Sequence, residues 1–305
     1  MSDVMIPSAP TERHPDFEHV AVYHQGHDDL AEQLVPDIAR ALEAGDAVLL
    51  CSPRDVWSRI SAQLGPAGDG VEYMSDEIRY DDPNVAMRIL HDFARERTRD
   101  GVRAAWSIGA IPFDGDDTRN AEWLRYEAAV NQVLSHLPLR AVCTYDTTTT
   151  PPELLEHARC THSWDEADGV AVIPPVLLPD REPMLRLVVH SSRSARQTVA
   201  AAYHGLIEDD ACADLTLVVS EIVSNALTHG APPVTISAWF DEPAATSTID
   251  VTDHGSGIDD PFVDLRPPRQ RPGGAGMWIV GQLSERVTSY RVDGVHHVTT
   301  RIRHR

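Results

Sequence analysis

Glu221-Ile-Val-Ser-Asn225-Ala-Leu-Thr-His229-Gly230 decides how the second half of this 305-residue chain is read. The stretch closes a predicted helix over Leu215–His229, with Gly230 as the expected left-handed stop. On a helix Glu221 and Asn225 are i and i+4, so their side chains project from one face. An amide oxygen such as that of Asn225 can ligate Mg2+, and a neighbouring carboxylate such as that of Glu221 can accept a proton. Those are the polar parts of a phosphoryl-transfer site.

Two further segments fit the same task. In Val251-Thr-Asp253-His-Gly255-Ser-Gly257 an apolar strand delivers one carboxylate, and two glycines then let the backbone turn sharply. A buried carboxylate is a good acceptor for the exocyclic amine of adenine, and the glycines let the chain pass close to base and ribose. In Arg271-Pro-Gly273-Gly274-Ala-Gly276-Met-Trp-Ile-Val280 a glycine-rich loop opens into a helix. Such a loop presents unbonded N–H groups and the positive end of a helix dipole to phosphates. Between them, Ile258 to Gln270 has the makings of a mobile lid, and Arg266, Arg269 and Arg271 are candidates for reaching phosphate oxygens.

Around these segments the reading is a strand at Leu185–His190, a helix from Ser194 to about Ile207, and strands at Val234–Phe240 and Thr248–Thr252. A helix over Met277–Ser284 and a closing hairpin, Val287–Val292 with His297–Ile302, complete it. This order predicts an α+β unit with helices on one face of a mixed, mostly antiparallel sheet.

The three segments resemble the N, G1 and G2 boxes of the GHKL (Bergerat) ATP-binding sandwich, in the compact form of anti-sigma-factor serine kinases. All three occur in the family's order across Ser191–Arg305. The resemblance implies ATP and Mg2+ as cofactors, with Asn225 as the Mg2+ ligand, Glu221 as general base and Asp253 as the adenine-recognising group. Gly255, Gly257, Gly274 and Gly276 would shape the pocket. It further implies a partner, a small anti-sigma-factor antagonist phosphorylated on serine, with a sigma factor as a second partner held directly. Pairing of two copies stays an open option, although no coiled-coil heptads join the halves. One position departs from the family pattern: where relatives place a threonine near the adenine, the register offers Val298, with Thr299 adjacent. Two alternatives stand beside the kinase. One is a nucleotide-gated binding module without transfer. The other is a histidine-kinase-like sensor, weakened because His190 and His204 lack the acceptor-box surroundings and long dimerisation helices.

The first half reads differently. Strands at His19–His24, Ala47–Cys51, Val71–Met74, Arg103–Ile108 and Arg140–Tyr145 alternate with helices at Asp28–Leu42, Arg54–Leu64, Asn84–Asp100, Ala121–Leu137 and Pro152–Arg159. That rhythm predicts an α/β domain with a mainly parallel sheet covered by helices. No Gly-x-x-x-x-Gly-Lys-Ser/Thr loop occurs in it. His19-Val-Ala-Val-Tyr-His24, Ala44-Gly-Asp-Ala-Val-Leu-Leu50, Tyr126-Glu-Ala-Ala-Val-Asn131, Cys143-Thr-Tyr-Asp146 and Thr161-His162 resemble the MEDS sensory domain of methanogen and methylotroph regulators. The resemblance covers roughly His19 to Trp164 and implies a small-molecule ligand without naming it. His157, Cys160 and His162 invite a metal reading, but no fourth ligand follows nearby. His19, His24 and His27, or Tyr126, Glu127 and Asn131 along one helix, are alternative pocket-lining sets. Trp57, Trp106 and Trp123, and the four cysteines, read most simply as core.

Domain limits follow from composition: a sensory domain over 15–165, a Pro-rich linker over 166–183 with Pro174, Pro175, Pro179 and Pro183, and an ATP-binding domain over 184–305. Forty-two per cent hydrophobic and 24% charged residues predict a soluble globular chain, and no apolar run is expected to span a bilayer. The net charge of −21 argues against nucleic acid and anionic membrane as partners. Dispersed cysteines and a polar N-terminus predict reduced thiols and a cytoplasmic location.

Overall fold

Five short strand runs build a parallel sheet, and its central ones, Val48–Leu50 typical of them, are buried on both faces. In the computed structural model, which describes residues 13–80, 82–162, 176, 178–268 and 274–304, they form the first of two compact units. The units divide between residues 173 and 174. In the first unit the strands are β1 (Glu18–His24), β2 (Ala47–Cys51), β3 (Val71–Met74), β4 (Ala105–Ala110) and β5 (Leu139–Asp146). They lie in the order β1-β5-β4-β2-β3, and every pair is parallel.

Its helices are α1 (Gly26–Glu43), α2 (Arg54–Leu64), α3 (Asp76–Arg79), α4 (Pro83–Arg99), α5 (Asp117–Val133) and α6 (Pro152–His162). Leu30, Leu34 and Ile38 of α1 and Val56 and Ile60 of α2 pack on Val48, Leu50, Ile108 and Val142 of the sheet. Helix α5 begins four residues before the expected Ala121. The Asp116 carboxylate caps it, accepting from the N–H groups of Thr118 (2.9 Å) and Arg119 (3.1 Å). Helix α6 runs past Arg159 to His162. Of Trp57, Trp106 and Trp123, only Trp123 is fully buried. Trp57 stacks half-buried on Tyr73, and Trp106 donates to Asp46 (3.1 Å) under the Arg140 guanidinium. Cys51 and Cys143 are buried, Cys212 is half-buried and Cys160 is exposed.

The second unit is built on β6 (Leu185–Val189), β7 (Val234–Asp241), β8 (Thr246–Asp253), β9 (Arg286–Val292) and β10 (Val295–Arg303). Their order is β6-β7-β8-β10-β9, and each pairing is antiparallel, so the sheet is not mixed. Helices α7 (Ser192–Tyr203), α8 (Asp209–His229) and α9 (Gly276–Gln282) complete it. Leu215, Val218, Val219, Ile222, Val223 and Ala226 form one stripe of α8 and share a core with Ile236, Ala238, Ile249, Val251 and Val298. Burial of each large aliphatic side chain there stabilises the unit by about 1.5–3 kcal/mol.

Helix α8 starts six residues earlier than Leu215, with Asp209 and Asp210 in its first turn, where carboxylates oppose the helix dipole. By length and composition it alone among the described helices is long and apolar enough to cross a membrane, a feature the sequence reading had not expected. In this structure its apolar stripe belongs to the core of the second unit. Gly230 ends α8, but in an extended conformation (φ −86°, ψ −165°), not the left-handed one expected. Space explains the glycine instead. A Cβ there would lie 2.5 Å from the Ala226 carbonyl oxygen and 2.5 Å from Asp253 Oδ1.

Most of the expected linker lies outside the described residues. Its described end packs on the second unit: the Val176 N–H donates to Thr288 Oγ1 (3.1 Å), and Trp239 Nε1 donates to the Arg181 carbonyl (2.8 Å).

Candidate active site

The last two turns of α8, the end of β8, the turn after it, the start of α9 and strand β10 enclose a pocket of about 360 Å³. Glu221, Asn225 and His229 reach it from α8, Asp253 from β8, Gly257 from the turn, and Gly274 and Gly276 from the approach to α9. Six of the seven residues singled out from sequence therefore line one cavity. The seventh, Gly255, stands behind it as part of the turn that fixes Asp253. Ile222, Ala226, Ile258, Val263, Met277 and Val298 give the pocket apolar walls. A flat heteroaromatic ring with polar edges suits such a lining.

Glycine is demanded where α9 meets α8. A Cβ on Gly276 would come within 2.5 Å of Glu221 Oε2, so the bare backbone lets the carboxylate lie against the start of α9. Behind the pocket the chain is equally tight. A Cβ on Gly255 would stand 2.6 Å from the Gly230 Cα, so two glycines from different segments pass each other there. Gly257, at φ +95°, occupies the left-handed region that favours glycine.

Asp253 is 3% exposed and held from several sides. Its Oδ1 accepts from the Gly255 N–H (2.6 Å) and the Ala231 N–H (3.4 Å), and its Oδ2 accepts from His296 Nδ1 (2.9 Å). The opposite nitrogen of His296, Nε2, sits 2.8 Å from Ser289 Oγ. With Nδ1 donating to the carboxylate, Nε2 is free to accept from that hydroxyl. Burial pushes the Asp253 carboxyl upward, but the hydrogen bonds from His296 and the Gly255 N–H outweigh it, and the group ends below its ordinary 3.8. A lowered carboxyl adds stability that is complete above the ordinary value and is lost as pH falls through the folded value. The stability difference between the wild type and Asp253→Asn is therefore expected to shrink as pH is lowered from about 5 to about 3. Thermal unfolding followed across that range tests it, and a difference that stays constant contradicts it.

His296 was missed in the sequence. It stands opposite Asp253 in the β8–β10 register and two residues before Val298, so alternation puts both side chains on the pocket face. The signal that could have found it was the pairing of the strand carrying Asp253 with the closing hairpin. Thr299 faces the other way and donates to Asp250 (2.8 Å); Val298 is the pocket-lining residue. Of the arginines placed on the lid, Arg266 is paired with Asp260 (2.7 Å) instead of standing ready for phosphate. Phe262 and Leu265 of the same segment are fully buried. Arg269 and Arg271, with Gly273, lie outside the described residues.

Comparison with known proteins divides the chain at the same place. The family model of the MEDS domain (MEthanogen/methylotroph, DcmR Sensory domain) matches residues 18–163. That of the histidine kinase-like ATPase domain matches residues 187–302. Among solved structures, the crystal structure of the RsbU and RsbW domains of a Mycobacterium tuberculosis protein is similar at 18% identity, with a TM-score of 0.30. The similarity covers 39% of this chain and 32% of that one, so this chain spans about a third of that protein's length. No curated protein matches the chain.

Proposed function

We propose that this chain, a MEDS domain joined to a histidine kinase-like ATPase domain, is a cytoplasmic ATP-dependent serine kinase of the anti-sigma-factor type, governed by a ligand at its first domain. The observation that supports this most is the gathering of Glu221, Asn225 and Asp253 around one apolar-walled pocket whose rim is glycine backbone. The sensory domain is taken as 15–165, the linker as 166–183 and the catalytic domain as 184–305.

ATP and Mg2+ fit the donor set. Asp253, held ionised by its N–H donors, keeps lone pairs available for the exocyclic amine of adenine. Ile222, Ala226, Met277 and Val298 supply the apolar surface against which a base is desolvated. Asn225 offers a neutral oxygen suited to Mg2+, which when bound neutralises charge on the phosphates. Gly274 and Gly276 leave backbone N–H groups near the start of α9.

Glu221 takes the proton from a serine hydroxyl of the partner. The serine oxygen forms its bond to the γ-phosphorus while the bond to the β,γ-bridging oxygen breaks, and ADP leaves. The partner is an anti-sigma-factor antagonist, with a sigma factor as a second protein held by the same domain.

Calorimetric titration of Mg-ATP into the wild type and into Asn225→Ala tests the reading. Binding that requires magnesium in the wild type and weakens on the order of 100-fold in the variant, about 2.7 kcal/mol, is the expected result. Equal binding by both proteins removes Asn225 from the site. Binding with no transfer to serine across a panel of partners favours the nucleotide-gated binding module.

A further inference from the structure

Apart from the pocket of the second unit, the first unit buries a group of side chains that its fold alone brings together. His19 comes from β1, Glu127 from α5, Cys143 from β5 and His162 from the last position of α6. One ligand atom from each lies within 4.8 Å of the others. His19 Nε2 is 3.4 Å from Cys143 Sγ, which is 3.1 Å from Glu127 Oε1. His162 Nε2 is 3.3 Å from Glu127 Oε2, and His19 Nε2 is 4.0 Å from Glu127 Oε1. The edges of a tetrahedron around an ion with bonds of 2.0–2.3 Å are roughly 3.3–3.8 Å, and these spacings of 3.1–4.0 Å, to one or the other Glu127 oxygen, lie around that range.

The protons point to the same conclusion. His162 Nδ1 lies 2.7 Å from the Ala158 carbonyl, which can only accept, so Nδ1 carries a proton and in the neutral ring Nε2 carries a lone pair. Asn131 Nδ2 donates to the Thr161 carbonyl (2.8 Å), which turns its Oδ1 toward His19 Nδ1 (3.1 Å). That contact fixes a proton on His19 Nδ1 and leaves Nε2 as a lone pair facing the cluster. Two imidazole lone pairs and a carboxylate thus converge, and His162 Nε2 is buried with no hydrogen-bond donor to meet it. Its side chain is 5% exposed. Lone pairs aimed at lone pairs in a dry interior are costly unless a cation sits between them. Both histidines are also anchored through the opposite ring nitrogen, an arrangement that sets the tautomer and orientation of metal-binding histidines. The Tyr145 hydroxyl, donating to Glu127 Oε2, holds the carboxylate as well.

We infer that His19, Glu127, Cys143 and His162 form a divalent-metal site of the zinc class within the MEDS domain. Two nitrogens, a sulfur and an oxygen are a borderline-soft donor set, which selects Zn2+ or Co2+ over Mg2+ and Ca2+. The Cys143 thiolate and Glu127 carboxylate together cancel the charge of the ion, so a buried site carries no net charge. The site replaces the trio of His157, Cys160 and His162 considered from sequence: only His162 of the three takes part, and Cys160 is exposed. It ties the neighbouring strands β1 and β5 to α5 and to the end of α6.

Titration of Co2+ into the chelator-stripped full-length protein is the test. One equivalent is expected to produce the strong visible bands of a tetrahedral ion and a near-ultraviolet thiolate-to-cobalt band, and Zn2+ is expected to displace it. Zn2+ is also expected to raise the unfolding temperature of the first unit. Cys143→Ser is expected to lose the thiolate band, and His162→Gln to weaken zinc binding by roughly tenfold or more. Cys160→Ser is expected to leave the spectra unchanged. Circular dichroism establishes that each variant is folded, and the wild-type titration decides the matter even where a variant is not. Failure of the folded wild type to take up either ion overturns the assignment and leaves a proton shared between His162 and Glu127. A thiolate band that persists in Cys143→Ser, or vanishes in Cys160→Ser, overturns it too.

Discussion

Glu221→Gln is expected to slow phosphoryl transfer to serine by about 10²–10⁴-fold, the range associated with loss of a positioned general base. The amide keeps the length of the side chain and its place against Gly276, where only the absence of a Cβ makes room for it. Glu221 and Asn225 share a face of α8, and the substitution touches neither Asn225 nor the Asp253 network. ATP affinity should therefore stay near that of the wild type. Transfer of labelled γ-phosphate to a serine-bearing partner, followed alongside calorimetric ATP binding, separates the two effects. Unchanged transfer in the variant eliminates Glu221 as the base. Label recovered on histidine instead of serine rejects the serine-kinase proposal as a whole.

The second large effect is expected from Gly230→Ala. The added methyl group meets the Ala226 carbonyl oxygen and the Asp253 carboxylate at 2.5 Å each, and neither is the loose end of a flexible side chain. The carbonyl belongs to the last turn of α8, and the carboxylate is pinned by Gly255, Ala231 and His296. Relief requires either a shift of the helix end or rotation of Asp253 out of its hydrogen bonds. Overpacking of this kind destabilises by about 1–3 kcal/mol. The variant is expected to unfold at lower denaturant concentration and to lose ATP binding together with stability. A variant of wild-type stability and affinity would show that the α8 terminus has slack the structure does not display.

The extent to which the chain's organisation was legible can be followed through particular elements. Arg54–Leu64 and Val71–Met74 matched the structure to the residue, because an apolar pattern bounded by Pro53, Gly65 and Gly70 leaves few alternatives. Element ends were displaced where a cap or a charge decided them. Asp116 pulled the start of α5 forward, and the acidic first turn extended α8 back to Asp209. Such choices are local energies of about 1 kcal/mol, too small to leave a periodic trace. Arg266 was misplaced because whether a surface cation is available or paired depends on Asp260, whose orientation the sequence does not state.

By itself the sequence determined the α/β and α+β architectures and six of the residues that line the pocket. Periodic burial and short glycine-rich segments are written along the chain, and their physics acts over a few residues. Tertiary structure alone decided the pairing of His296 with Asp253, the steric reason for Gly230, and the buried quartet of His19, Glu127, Cys143 and His162. Each depends on strand register or helix docking, which sets neighbours far apart in sequence at distances of a few ångströms. Those distances follow from the packing of whole layers and are recorded in no single segment.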